Sequence, residues 1–79
     1  SYWNHRVIRR VYPDGTIQFG IHETYYDEHG TPELWSVDPE AVTTFPERDQ
    51  EEPIKALRVT LESMMGALDR PVIDWEEAE

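Results

Sequence analysis

The sequence predicts an α+β domain in which a three- to four-stranded antiparallel β-meander packs on one C-terminal amphipathic helix, in the order β-β-β-α with a possible short fourth strand. Apolar and polar residues alternate over residues 3–12 and 16–26, on either side of a tight turn. A second polar, glycine-containing turn follows at residues 27–30. From Ile54 onward the apolar spacing becomes that of a helix. A chain of 79 residues is expected to form one domain over residues 1–79.

The first two strands are predicted to form a hairpin around residues 12–15. Pro13 presets the backbone for the turn, and Gly15 can take the left-handed conformation that closes a three-residue loop. This loop length pairs the residues that flank it, and the same register sets Val7 opposite Ile21. One face of the hairpin is then apolar, and the opposite face is expected to lie toward solvent. The apolar face holds Val7, Val11, Ile17, Phe19 and Ile21, and the opposite face holds Tyr2, Asn4, Arg6, Ile8, Arg10, Tyr12, Gln18, Gly20, His22 and Tyr26.

A third, shorter strand is predicted at residues 33–37. If Gly30 is the bulge residue of the second turn, Trp35 lies opposite Glu23 and adds a large aromatic ring to the apolar face. Residues 38–50 contain two prolines and neither periodicity, so they are expected to form an acidic surface loop.

The helix is predicted from the cleanest pattern in the chain, a 3, 4, 3, 4 spacing of Ile54, Leu57, Leu61, Met64 and Leu68. Pro53 suits the first helical turn, and Pro71 ends the helix near residues 69–70 because the residue before a proline avoids helical geometry. Residues 71–75 are expected to form a short edge strand beside the first strand. The predicted core comprises Val7, Ile21, Trp35, Leu57 and Leu61.

Charge is distributed unevenly along the chain. Seven Lys and Arg residues stand against 17 Asp and Glu residues, a net charge of −10. The first 12 residues hold three arginines and no acid, which leaves four basic residues against all 17 acids, a charge of −13, after Tyr12. The acids concentrate in residues 38–52 and 69–79. A field of this sign repels nucleic acid and steers the protein toward basic surfaces, although it also serves solubility.

Several kinds of chemistry are not expected. The chain has no cysteine, which excludes disulfides, thiolate metal sites and a cysteine nucleophile. His5 and His22 fall on opposite faces of the predicted hairpin and His29 falls in a turn, so a shared metal site is disfavoured and ordinary surface histidines are expected. No catalytic residue, cofactor or small-molecule substrate is predicted. No segment has the length and hydropathy of a membrane span, and a cytoplasmic protein is expected, in the host cytoplasm if a phage encodes it.

Two surfaces are candidates for binding. The first combines acids with an aromatic ring and is expected to dock on a basic surface of a nucleic-acid-processing complex: Asp49, Glu51, Glu52, Asp74, Trp75, Glu76 and Glu77. Trp75 serves there as an anchor, or else it folds back onto the sheet edge. The alternative surface is a stacking platform for single-stranded nucleic acid, formed by Arg6, Arg10, Tyr12 and Tyr26. Homo-oligomerisation through the edge strand is a third possibility.

Four motifs carry a family resemblance: Trp3-Asn4 with Arg6-Val7, residues 12–15, residues 22–27, and residues 71–74. In these, the chain resembles a widespread group of uncharacterised small bacterial and prophage proteins. In size and charge alone, it also resembles the inhibitors that phages make against host nucleic-acid enzymes, including anti-CRISPR proteins and DNA mimics. This second resemblance implies a small acidic inhibitor that occupies a basic nucleic-acid-binding site on a host defence complex.

Overall fold

A computed structural model describes the backbone of residues 2–78 and the side chains of residues 2–76. The described chain forms four strands and one α-helix, which confirms the predicted α+β fold with a short fourth strand. In chain order these are β1 (Trp3–Val11), β2 (Ile17–Tyr26), β3 (Pro32–Trp35), α1 (Pro53–Ala67) and β4 (Ile73–Asp74), followed by a 3₁₀ helix (Trp75–Ala78). The sheet order is β3-β2-β1-β4, and β4 runs parallel to β1 beside Ile8 and Arg9.

The β1-β2 hairpin has the predicted register. Val7 lies opposite Ile21, and pairing continues from Trp3 to Val11 without interruption. The turn chemistry fixes this register: Gly15 has a φ of 89°, and the Asp14 carboxylate accepts hydrogen bonds from the amide (3.0 Å) and hydroxyl (2.7 Å) of Thr16. We call the side of the sheet that carries the side chains of Trp3, His5, Val7 and Val11 the helix face, and the other side the reverse face.

The pairing register of β3 on β2 differs by one residue from its prediction. Gly30 closes the second turn as predicted, with a φ of 80°, but a further bulge between Tyr25 and Tyr26 pairs Trp35 with Thr24, where Glu23 was predicted. A shift of one residue transfers every side chain of a strand to the other face. Trp35 therefore lies on the reverse face, away from α1.

The core also differs from its prediction. The buried apolar residues are Ile8, Met64, Ala67 and Ile73. Val7, Ile21, Trp35 and Leu57 are only half-buried, and Leu61 is 48% exposed. The helix turns Met64 and Ala67 toward the sheet, so the buried side of α1 is rotated away from the stripe through Ile54, Leu61 and Leu68.

The reverse face, expected to lie toward solvent, is covered by the C-terminal segment. Ile8 on this face lies beside Ile73 of β4 and is 1% exposed. On the helix face α1 crosses β1 near His5, where the Arg70 side chain donates to the His5 carbonyl oxygen (3.3 Å). The far end of the apolar face is left bare, with Val11, Ile17 and Phe19 all exposed. No helix in residues 2–78 is long and apolar enough to cross a membrane.

Candidate functional site

The predicted Arg/Tyr platform divides into two clusters, and each is held by internal contacts. The Arg10 guanidinium lies 3.8 Å from the centre of the Trp75 ring and 5.0 Å from that of Tyr12. Arg6 donates to the Tyr26 hydroxyl (2.9 Å) and to the carbonyl oxygen of residue 71 (2.7 Å). Nucleic acid could contact these guanidinium groups only by competing with the contacts that hold the C-terminal segment in place. Nucleic-acid binding by this face stays a prediction.

Trp75 folds onto the sheet. Its ring is half-buried and packs edge-on against His22 and Trp35 of the reverse face, with ring centres 6.1 and 6.3 Å apart. The neighbouring Asp74 forms an ion pair with Arg9 (3.3 Å), while Glu76 is exposed. The side chain of Glu77 lies outside the described residues. Of the two interpretations of Trp75, the geometry favours packing over presentation as an anchor.

The histidines lie on opposite faces of the hairpin as predicted, but the expected surface exposure is wrong for two of them. His5 and His22 are each 3% exposed. His5 Nδ1 and Ser63 Oγ are joined by a hydrogen bond of 2.8 Å, and His22 Nδ1 donates to the Ser36 carbonyl oxygen at the same distance. Burial lowers the pKa of His5, and the positive charge of Arg70 lowers it further, against an opposing effect of Glu23. No group of three or more His, Asp or Glu side chains among the described residues could hold a metal ion.

Two carboxyl groups meet on the helix face beside His5. Glu23 lies directly across from His5 in the hairpin, and Glu40 reaches it because the Glu40 amide donates to the Ile21 carbonyl oxygen (2.7 Å) and extends the chain along β2. A hydrogen bond to Glu23, burial and the negative charge of Glu23 together raise the pKa of Glu40 to about 7. The bonds that Glu23 accepts from Glu40 and from the Tyr25 hydroxyl lower its own pKa. At neutral pH Glu40 is therefore partly protonated, and its protonated form donates to Glu23.

Residues 38–52 form an acidic loop that presents an aromatic side chain. Phe45 is 86% exposed, and its backbone is held because Gln50 accepts a hydrogen bond from Thr44 Oγ1 (2.7 Å) and donates one to the Phe45 carbonyl oxygen (3.3 Å). The predicted site residues of this loop are all exposed, namely Asp49, Glu51 and Glu52. Among described ion pairs, only Glu52 of these three takes part, with Lys55 (3.8 Å). Phe45 is not among the predicted site residues, although a lone Phe in an acidic, proline-containing segment was a signal that could have indicated it.

The acidic loop and the Trp75 ring of the prediction lie on opposite sides of the sheet. The acidic loop borders a cavity with Trp3, His5 and Glu23 of the helix face. Trp75 packs on the reverse face, whereas Asp74 pairs with Arg9, whose side chain lies on the helix face. One flat partner surface therefore cannot contact the acidic loop and the Trp75 ring at once.

The structure thus defines an α+β protein with a half-buried carboxyl pair and an exposed, acidic, Phe-bearing loop on one face. No family model matches the chain, and no curated protein or solved structure matches it.

Proposed function

We propose that the protein is a small acidic inhibitor, encoded by a phage and active in the host cytoplasm, that binds a basic nucleic-acid-binding surface of a host defence complex through its acidic loop. The observation that carries this proposal is the exposure of Phe45 at 86% in a segment whose site acids are also exposed. An exposed aromatic ring surrounded by charge is the composition of an interface anchor with a polar rim. Trp75 packs on the reverse face and Asp74 is paired with Arg9, so neither is assigned a part in this surface.

The proposed mechanism is competition. The carboxylates of the loop neutralise Lys and Arg groups that otherwise hold phosphate, and Phe45 enters an apolar recess between them. Charge then governs the association rate and its salt dependence, while the buried ring governs dissociation. The net charge of −10 supports the same direction of steering.

The test begins with a tagged protein and a bacterial lysate at low and high salt, with mass spectrometry to identify the partner. The purified partner is then titrated with a labelled oligonucleotide and the protein. The site variant is Asp49→Lys with Glu51→Lys and Glu52→Lys. The matched control reverses the exposed acids Glu28, Glu33 and Glu62, so the two variants have the same net charge and differ only in where the charge lies.

The loop variant should lose the ability to displace the oligonucleotide, whereas the control retains it. Phe45→Ala should weaken binding about tenfold or more at every salt concentration, because an anchoring ring in an interface contributes ~2 kcal/mol. Circular dichroism must first show that each variant is folded. Equal displacement by the loop variant and the wild type would refute the proposal.

A further inference from the structure

A cavity of about 260 Å³ lies between the sheet and the acidic loop. Aromatic rings and carboxyl groups line it together: Trp3, His5, Glu23, Glu40, Phe45 and Thr60. A four-carbon side chain with a charged end fits a space of this size, since pockets for whole drug-sized ligands begin near ~300 Å³. The cavity therefore suits a single side chain of a partner.

The chemistry of the lining favours a cation. Glu23 and Glu40 bring two carboxyl groups to one point, and neither forms an ion pair with Lys or Arg among the described residues. The other titratable or charged groups near the pair are His5 on β1, Tyr25 on β2 and Arg70 after α1. Burial lowers the pKa of His5, which disfavours the positive charge that His5 could otherwise supply to the pair.

A second observation at the cavity is independent of its acids. His5 is 3% exposed, and its Nε2 atom is buried with no hydrogen-bond partner among the described side chains and backbone. A buried polar atom without a partner costs about 1–3 kcal/mol, and in native proteins such atoms are few and mark strain, a functional role or the position of a bound group. The burial of the His5 ring at this end of the sheet therefore lowers the stability of the fold.

We propose that this cavity receives the ammonium group of a lysine side chain from the basic partner, with the lysine stem lying against Trp3 and Phe45. The identity of the partner rests on the proposed function, but the site does not. An ammonium group is a compact charge with three donors, which suits two carboxyl groups that converge on one point. An arginine requires a coplanar fork of acceptors, which a pair of carboxyl groups bonded to each other does not present. The aromatic rings offer cation–π contact and cover the methylene groups.

Binding of the ammonium group must displace the proton that the carboxyl pair shares, and that proton passes to solvent. Lysine binding is therefore coupled to pH. With the pKa of Glu40 at about 7, the fraction of ionised Glu40 rises about tenfold between pH 6 and pH 8. Burial lowers the pKa of His5, and the hydrogen bond to Glu23 raises the pKa of Tyr25, so both shifts move these groups away from the titration of Glu40.

The experiment uses the isotope-labelled full chain and N-acetyl-lysine methylamide as the probe, followed by NMR at pH 6 and pH 8. The lysine probe should shift the Trp3 indole and the Glu23 and Glu40 amide signals, with an apparent Kd about tenfold lower at pH 8. The norleucine analogue, which has the same stem without the charge, should cause no shift. A norleucine shift equal to that of lysine, or tighter binding of the arginine analogue, overturns the assignment.

Two variants sharpen the test. Glu40→Gln keeps a donor toward Glu23 and removes the titrating proton, so the apparent Kd should lose its pH dependence and stay near the wild-type value at pH 6. Glu28→Gln, at an exposed turn position, is the matched control and should behave as the wild type. A Glu40→Gln protein that keeps the tenfold pH dependence refutes the site.

The outcome also separates this site from the proposed function. If the lysine probe does not bind while the triple loop variant still loses the partner, the cavity assignment is wrong and the proposed function stands. If the probe binds as described while the loop variant displaces nucleic acid normally, the proposed function is wrong and the lysine site stands.

Discussion

Replacing Glu40 with Gln should make the protein more stable at pH 8 relative to the wild type and leave it nearly unchanged at pH 5. In the wild type, hydrogen bonding to Glu23 raises the pKa of Glu40 from 4.5 to about 7. A carboxyl group whose pKa is raised on folding contributes stability below its unfolded pKa of 4.5 and loses that contribution as the pH rises through about 7. A Gln side chain keeps the hydrogen bond and never acquires the charge.

The magnitude follows from the pKa shift. At ~1.4 kcal/mol per pKa unit, a fully buried pair would lose roughly 2.5 kcal/mol between pH 5 and pH 8. Glu40 is half-exposed, and solvent screens such pairs, so the expected difference is roughly 1 kcal/mol. His5 and Glu23 also change the stability with pH, but they are present in both proteins, and their effects cancel in the comparison.

Urea denaturation of both proteins at pH 5 and pH 8, monitored by far-ultraviolet circular dichroism, measures this difference. The free energy of unfolding of Glu40→Gln minus that of the wild type should increase by roughly 1 kcal/mol between the two pH values. The control Glu28→Gln should show no such increase. A difference that is the same at both pH values would show that the two carboxyl groups do not share a proton.

Three further predictions test the fold. Ile8→Ala should cost about 2–5 kcal/mol, because Ile8 is 1% exposed, while Leu61→Ala should cost under ~1 kcal/mol; denaturation that ranks them in the reverse order would restore the original core prediction. Arg10→Met should cost about 1 kcal/mol and alter the tryptophan fluorescence, because the guanidinium lies 3.8 Å from the centre of the Trp75 ring; unchanged fluorescence would mean that this contact is absent in solution. Gly15→Ala should cost about 1 kcal/mol, because the φ of 89° strains any residue with a Cβ atom; a neutral effect in thermal denaturation would contradict the turn geometry.

The hairpin could be predicted from the sequence because its register depends on neighbouring residues. Asp14 bonds to Thr16 within the turn, and Gly15 supplies the positive φ, so local chemistry alone selects the pairing. The position of the third strand is not local in this sense. Leu34 and Trp35 are both apolar, so either could face the core, and the contact of Trp35 with Trp75 forms only when residues 40 positions apart meet.

The core was mispredicted for the same reason. Ile8 stands between Arg6 and Arg10 on a strand face that its alternation marks as exposed. It is buried because β4, some 65 residues later in the chain, pairs beside it and Trp75 of the C-terminal 3₁₀ helix packs on that face. The spacing from Ile54 onward predicts that a helix forms, but not which side of it contacts the sheet, since that depends on the direction in which α1 crosses β1. Tertiary packing decides both.

The candidate site was hidden because it combines residues that sequence patterns treat separately. Glu40 meets Glu23 only after the chain beyond β3 runs along β2, and His5 becomes buried only beneath α1 and the acidic loop.

The same end of the sheet holds a buried His5 nitrogen without a partner and a paired carboxyl, and the nearby Glu52 has a left-handed backbone with a φ of 49°. The unpartnered nitrogen and the left-handed backbone each cost on the order of 1–3 kcal/mol, a large share of the stability of a small domain. At the other end of the same hairpin face, the apolar side chains of Phe19 and Ile17 are exposed to solvent. Selection for stability alone would place apolar side chains in the cavity, so the concentration of costly polar groups beneath Phe45 favours binding as the purpose of this face.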